Sequence, residues 1–95
     1  MKKKSLLQLF ILGQTPIARR AIKNLQSLCK EPKMKALYQI EIIDLYHAPE
    51  CAEQEKILAT PLLILKNSPI QCRIIGDLSN SERVLSALNM GCKCE

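Results

Sequence analysis

Aromatic side chains are scarce in this chain. Phe10, Tyr38 and Tyr46 make up the whole set, and there is no tryptophan. Proteins that hold nucleic acid strands combine cations with aromatic platforms on which bases stack. Three scattered rings build no such platform, so no nucleic acid partner is expected despite a formal net charge of +5. Glycine is nearly as rare, at Gly13, Gly76 and Gly91, which leaves no glycine-rich loop to cradle a phosphate. Histidine occurs once, as His47. A structural zinc site needs four ligands, and the pair Cys92 and Cys94 reads as a frayed tail, so no metal and no cofactor are expected. No apolar run approaches the roughly 20 residues that cross a bilayer, so no membrane association is expected. Met1 to Phe10 is basic and then apolar, but Gly-Gln-Thr-Pro follows instead of a small-residue cleavage site. With no export signal, the expected location is the cytoplasm and the five cysteines are expected as reduced thiols.

What is present is an aliphatic core. Apolar residues make up 47% of the 95 residues, enough for one domain spanning 1–95, with 1–5 and 91–95 read as flexible tails. Leu6 to Leu12 is an apolar run broken by Gln8, the pattern of a strand buried on both faces. Thr15 and Pro16 then provide an N-cap hydroxyl and a first-turn proline. Ile17, Ala21, Ile22, Leu25, Leu28 and Cys29 follow at helical spacing, predicting an amphipathic helix to about Lys30. Lys33 to Lys35 reads as a connector. Leu37 to Leu45 reads as a second strand with one mixed face, as suits a sheet edge. Strand, helix and strand form a βαβ unit.

A short helix is predicted within Ala48–Lys56, its start marked by Pro49 and Glu50. Two apolar runs, Leu62–Leu65 and Cys72–Ile75, flank Asn67-Ser68-Pro69 and read as a hairpin. Thr60-Pro61 stands at its entrance, which makes Pro61 a candidate cis-proline. Ser79 to Glu82 has the form of a capping box, and Val84, Leu85 and Leu88 give the last helix an apolar side. The order β-α-β-α-β-β-α is that of the α/β thioredoxin fold. A redox enzyme on that fold needs Cys-x-x-Cys at the first helix N-terminus, where the helix lowers the thiol pKa. Here that position reads Gly13-Gln14-Thr15-Pro16. His47, Glu50, Glu53 and Asp77 assemble no nucleophile, base and oxyanion hole. The residues therefore predict a binding module and no enzyme.

Two stretches carry a family resemblance: Leu7–Pro16, reading LQLFILGQTP, and Lys56–Glu82, which contains KILATP and RIIGDLS. Over roughly residues 6–89 the chain resembles the KaiB family. The resemblance implies a non-enzymatic regulator that binds a KaiC-type RecA-like hexameric ATPase, in a clock, signalling or stress pathway. It implies as an alternative a thioredoxin-like adaptor that docks a sensor kinase of the SasA type. It implies fold switching too: a homo-oligomer, dimer or tetramer, whose C-terminal half runs β-α-α-β, and a thioredoxin-like binding form. Gly76, Asp77, Ala87 and Asn89 fall in the region that would switch. Ala87 and Asn89 replace a glycine and an aspartate usual in the family, and alanine favours helix over glycine by about 0.8–1.0 kcal/mol, which favours the thioredoxin-like form. The matched candidate partner-binding surface is Arg20, Lys23, Glu41, Lys56 and Arg73. Glu41 stands where the family tends to have lysine, and Cys72 where it has arginine beside Arg73. The family's acidic C-terminal tail is missing.

Overall fold

In the computed structural model, residues 4–66 and 72–89 are described. Four strands form one sheet in the order β2-β1-β3-β4. The central strands are the most apolar ones. β1 (Ser5–Ile11) has Leu7, Leu9, Phe10 and Ile11 at 1% exposure or less, and β3 (Leu62–Leu65) is buried at every position. β2 (Tyr38–Asp44) runs parallel to β1 and lies at one edge, where its alternating pattern predicts it. β3 is antiparallel to both β1 and β4 (Cys72–Ile75). The expected turn at Asn67, Ser68 and Pro69 lies outside the described residues.

Helices α1 (Pro16–Leu28), α2 (Pro32–Leu37) and α4 (Ser81–Asn89) cover one face of the sheet. Ala18, Ala21, Leu25, Met34, Val84 and Leu88 pack there in a cluster with Leu7, Leu9, Leu63 and Ile74. Burying each leucine removes about 1.5–3 kcal/mol of exposure cost. Among the described residues, the opposite face carries α3 (Glu50–Gln54), which packs Cys51 and Ala52 against Phe10, Leu45, Leu62 and Ile64.

Several sequence expectations need correction. Lys33–Lys35 is no plain connector: Pro32 opens the six-residue α2, which takes Leu37 out of the strand. On α1 the predicted positions Ala21, Leu25 and Cys29 are buried and Ile22 and Leu28 are half-buried, but Ile17 is 40% exposed and Ala18 takes its place on the core face. The last helix starts at Ser81 instead of Ser79. Asn80 Oδ1 accepts the Arg83 N–H at 3.1 Å, and the Ser79 N–H turns back to Asp77 Oδ1 at 3.1 Å. Asparagine caps as well as serine does, and Leu78 at φ 61° redirects the chain just before it. Past β3 the chain runs strand then helix, so this is the thioredoxin-like arrangement and not the β-α-α-β alternative. Cys29 and Cys51 are free thiols, but buried Cys72 is disulfide-bonded, against the expectation that all thiols are reduced. Cys92, Cys94 and Gly91 lie outside the described residues.

Candidate protein-docking surface

The turn into α1 is built without a thiol. Gly13 has φ +76°, a left-handed conformation natural to glycine. The Tyr46 ring lies over it, and the Asp44 carboxylate accepts the N–H of Gly13 at 3.1 Å and of Tyr46 at 3.0 Å. These two backbone donors hold the Asp44 carboxyl below the usual carboxylate range, with a further contribution from His47. Thr15 caps α1 by accepting the Ala18 N–H at 3.2 Å. Opposite this turn, the Thr60–Pro61 peptide is cis. Between the turn and Thr60 lies an apolar pocket of about 460 Å³, lined by Leu12, Leu45, Tyr46, Pro49, Ala52 and Leu58, among others. Tyr46 is 70% exposed and Leu58 is 98% exposed. Exposed apolar side chains at a concave site are what a protein surface needs in order to bind another. Sequence reasoning missed these two; the signal was apolar residues standing in loops next to the predicted turn and the cis-proline.

The five residues singled out from the sequence fall on both sides of the sheet. Glu41 and Arg73 share the α3 face and stand in one cross-strand row, Glu41–Gln8–Ile64–Arg73. Glu41 accepts from Gln8 Nε2 at 2.8 Å. The Arg73 guanidinium donates to the backbone carbonyls of Glu55 and Lys56, closing the end of α3. Lys56 sits at that turn with φ 54°. Lys66, just past the end of β3, supports it through a 3.1 Å ion pair with Glu55. Arg73 and Lys56 are therefore brought together, beside the Ile57–Thr60 rim of the pocket.

Arg20 and Lys23 lie on α1, on the other side. Arg20 pairs with Asp77 at 3.3 Å, and Asn24 Nδ2 donates to the Asp77 carbonyl at 2.7 Å. The Asp77 carboxyl is held below its usual value first by hydrogen bonds from Ser79 and then by Arg20. These contacts fasten α1 to the loop between β4 and α4. Gly76, at φ +121°, has open space where a Cβ would stand. Ala87 packs half-buried against the helical core, and Asn89 ends α4. Among the described residues, no group of three or more His, Cys, Asp or Glu side chains could hold a metal ion. Among the described residues, no helix is long and apolar enough to cross a membrane.

The sheet order, the helices on both faces and the cis-proline opposite the first helix define a thioredoxin-like domain with no cysteine at the α1 N-terminus. Comparison with solved structures agrees. The N-terminal domain of Synechococcus elongatus SasA superimposes with a TM-score of 0.75 at 14% identity, over 100% of this chain and 91% of that one. Mitochondrial thioredoxin 3 of Saccharomyces cerevisiae superimposes with a TM-score of 0.72 at 16% identity, over 94% and 80%. At such identity the likeness is one of fold. The family follows from sequence: residues 8–90 match the KaiB domain, and the circadian clock oscillator protein KaiB of Thermostichus vulcanus is 42% identical over 90 residues, 95% of this chain and 82% of that protein. The chain belongs to the KaiB family.

Proposed function

We propose that this chain is a clock-type regulator that works by binding a KaiC-type hexameric ATPase and carries out no chemistry of its own. The match to the KaiB domain from residue 8 to residue 90 carries this reading. The α1 entrance supports it, because Gly13 to Pro16 supply no nucleophile where a thioredoxin-like enzyme would need one. The docking element is the α3 side of the domain. Tyr46 and Leu58 supply exposed apolar anchors, Lys56 a cation at the rim, and Glu41 an anion further along the sheet. Apolar anchors provide most of the binding energy in such interfaces, and rim charges set register and partner choice.

The test is size-exclusion chromatography with light scattering, run with a KaiC-type hexamer and nucleotide. Co-elution is expected. Leu58→Asp should abolish it, because a carboxylate cannot be buried unpaired in the apolar contact. Glu41→Lys should strengthen it if the surface has drifted from the family's lysine. No co-elution after a day would refute the ATPase reading. Co-elution with a SasA-type sensor domain instead would establish the adaptor role.

A further inference from the structure

We propose that the outer surface of α1 and α2 is a second docking site, on the opposite side of the sheet from the α3 pocket, and that it takes an acidic polypeptide. Charge is sharply divided along this chain. From Pro16 to Leu37 there are six cations, Arg19, Arg20, Lys23, Lys30, Lys33 and Lys35, and one anion, Glu31. From Tyr38 to Glu55 there are five anions, Glu41, Asp44, Glu50, Glu53 and Glu55, and no lysine or arginine. The fold converts that division in sequence into a division in space. α1 and α2 pack on one face of the sheet, and α3 packs on the other. Lys56, Lys66 and Arg73 stand on the α3 side and Asp77 and Glu82 on the helical side, so the division is partial, but the helical side stays the more basic of the two.

Most cations on the helical side have no ion-pair partner among the described residues. Among the described residues, Arg20 is the one member of this group in an ion pair. All six side chains are exposed. Arg19 and Lys23 are four residues apart and lie on one stripe of α1, so they repel each other weakly instead of pairing. Their arrangement costs the isolated domain a little stability, and an anionic partner would offset that cost. Ile17 at 40% exposure and Leu37 at 50% stand on the same two helices as apolar anchors among the charges. Mixed apolar and cationic surface fits an acidic protein segment that carries its own apolar side chains.

The aromatic residues argue against a nucleic acid as occupant. Phe10 is buried, Tyr38 is half-buried, and Tyr46 lies on the other side of the sheet, so the basic surface has no exposed ring for bases to stack on. The α3 side sets five carboxylates against Lys56, Lys66 and Arg73, so it attracts a polyanion less than the helical side does. An acidic segment is thus steered onto α1 and α2, with an association rate that falls as salt rises.

The experiment titrates the full chain into a fluorescein-labelled polyglutamate peptide, with anisotropy read at low and at high salt. A single-stranded DNA of equal charge serves as comparator. The peptide is expected to bind at low salt and to weaken at high salt. The triple variant K30E/K33E/K35E should weaken it by about tenfold or more, since each reversal turns an attraction into a repulsion. These three lysines lie outside the surface assigned to the ATPase, so the two readings can fail separately. If circular dichroism shows that the triple variant loses helix, K30Q/K33Q/K35Q takes its place. Unchanged peptide affinity in the folded variant would overturn the proposal. So would tighter binding of the DNA, which would make this a nucleic acid surface. A light-scattering mass that rises at low salt and returns to that of one chain in the lysine variants would overturn it as well, by identifying the acidic α3 side of a second copy as the occupant.

Discussion

Tyr46 lies across the backbone of Gly13, so a methyl group built on Gly13 would stand 2.7 Å from the ring's Cε2. Two costs would follow from Gly13→Ala: the steric contact and the left-handed φ of +76°. The ring is the far end of a side chain that is 70% exposed and can swing aside. The backbone cannot, and a residue with a Cβ pays about 1–2 kcal/mol there. Gly13→Ala should therefore lower urea-unfolding stability by about that amount. Adding Tyr46→Ala should recover little of it, and full recovery would show that the ring, and not φ, sets the cost.

Acid should weaken this fold through two aspartates. Asp44 and Asp77 both have carboxyls held below the ordinary range in the folded chain. Their stabilising effect is complete above the unfolded value near 3.9 and is lost as pH falls through the lower folded values. Thermal melts from neutral pH downward should show stability falling in that acid window. Asp44→Asn and Asp77→Asn together should flatten the fall. An unchanged profile in the double variant would show that other carboxylates govern the acid transition.

Thiol reactivity should differ between two cysteines. Cys29 is buried beneath α1 and α2, and burial raises its thiol pKa. Cys51 lies partly exposed on α3. Because the thiolate is the reacting species, iodoacetamide should modify Cys51 well before Cys29 in the folded chain. The two rates should converge in denaturant. Peptide mapping by mass spectrometry reads both. Equal rates in the native state would mean that the helical core opens often.

Arg73→Ala should affect stability before it affects binding. Its guanidinium donates to two backbone carbonyls at the end of α3, and hydrogen bonds involving a charged group contribute about 1.5–3 kcal/mol when intact. An exposed position halves this at least, so a loss of about 1 kcal/mol is expected in urea unfolding. Lys56→Ala removes a side chain with no such bond and should leave the unfolding midpoint unchanged. If Arg73→Ala leaves stability untouched and still lowers affinity for an ATPase partner, Arg73 contacts the partner directly.

Much of this was legible in the residues. The apolar run from Leu6 to Leu12, broken only by Gln8, marked a strand buried on both faces, Leu62–Leu65 marked a hairpin strand, and the mixed face from Leu37 to Leu45 marked an edge. Thr15-Pro16 fixed the start of α1 because a capping hydroxyl and a missing donor both suit that site. Pro32 suits both the stop after α1 and the first turn of α2, so its presence alone does not reveal the second helix. Ser79 looked like the better cap, but the backbone turn at Leu78 passed the role to Asn80, and that turn has no signature in sequence. The candidate surface was legible as charges and illegible as geometry. Arg20 and Lys23 sit near Arg73 in any list of cations, yet the sheet separates them. Tyr46 and Leu58 were invisible because exposure is set by which neighbours a loop residue lacks.

Among the described residues, side-chain hydrogen bonds and ion pairs fasten α3 at its C-terminal end. The carbonyls of Glu55 and Lys56 are gripped by Arg73 from β4, and the Glu55 carboxylate by Lys66 just past the end of β3. Its first turn, at Pro49, has no side-chain cap. The start of the helix is held by backbone bonds and by the packing of Cys51 and Ala52. A partner seated at the pocket mouth therefore meets the end of α3 that carries no polar side-chain clamp, and the clamp itself stays out of its reach behind the helix.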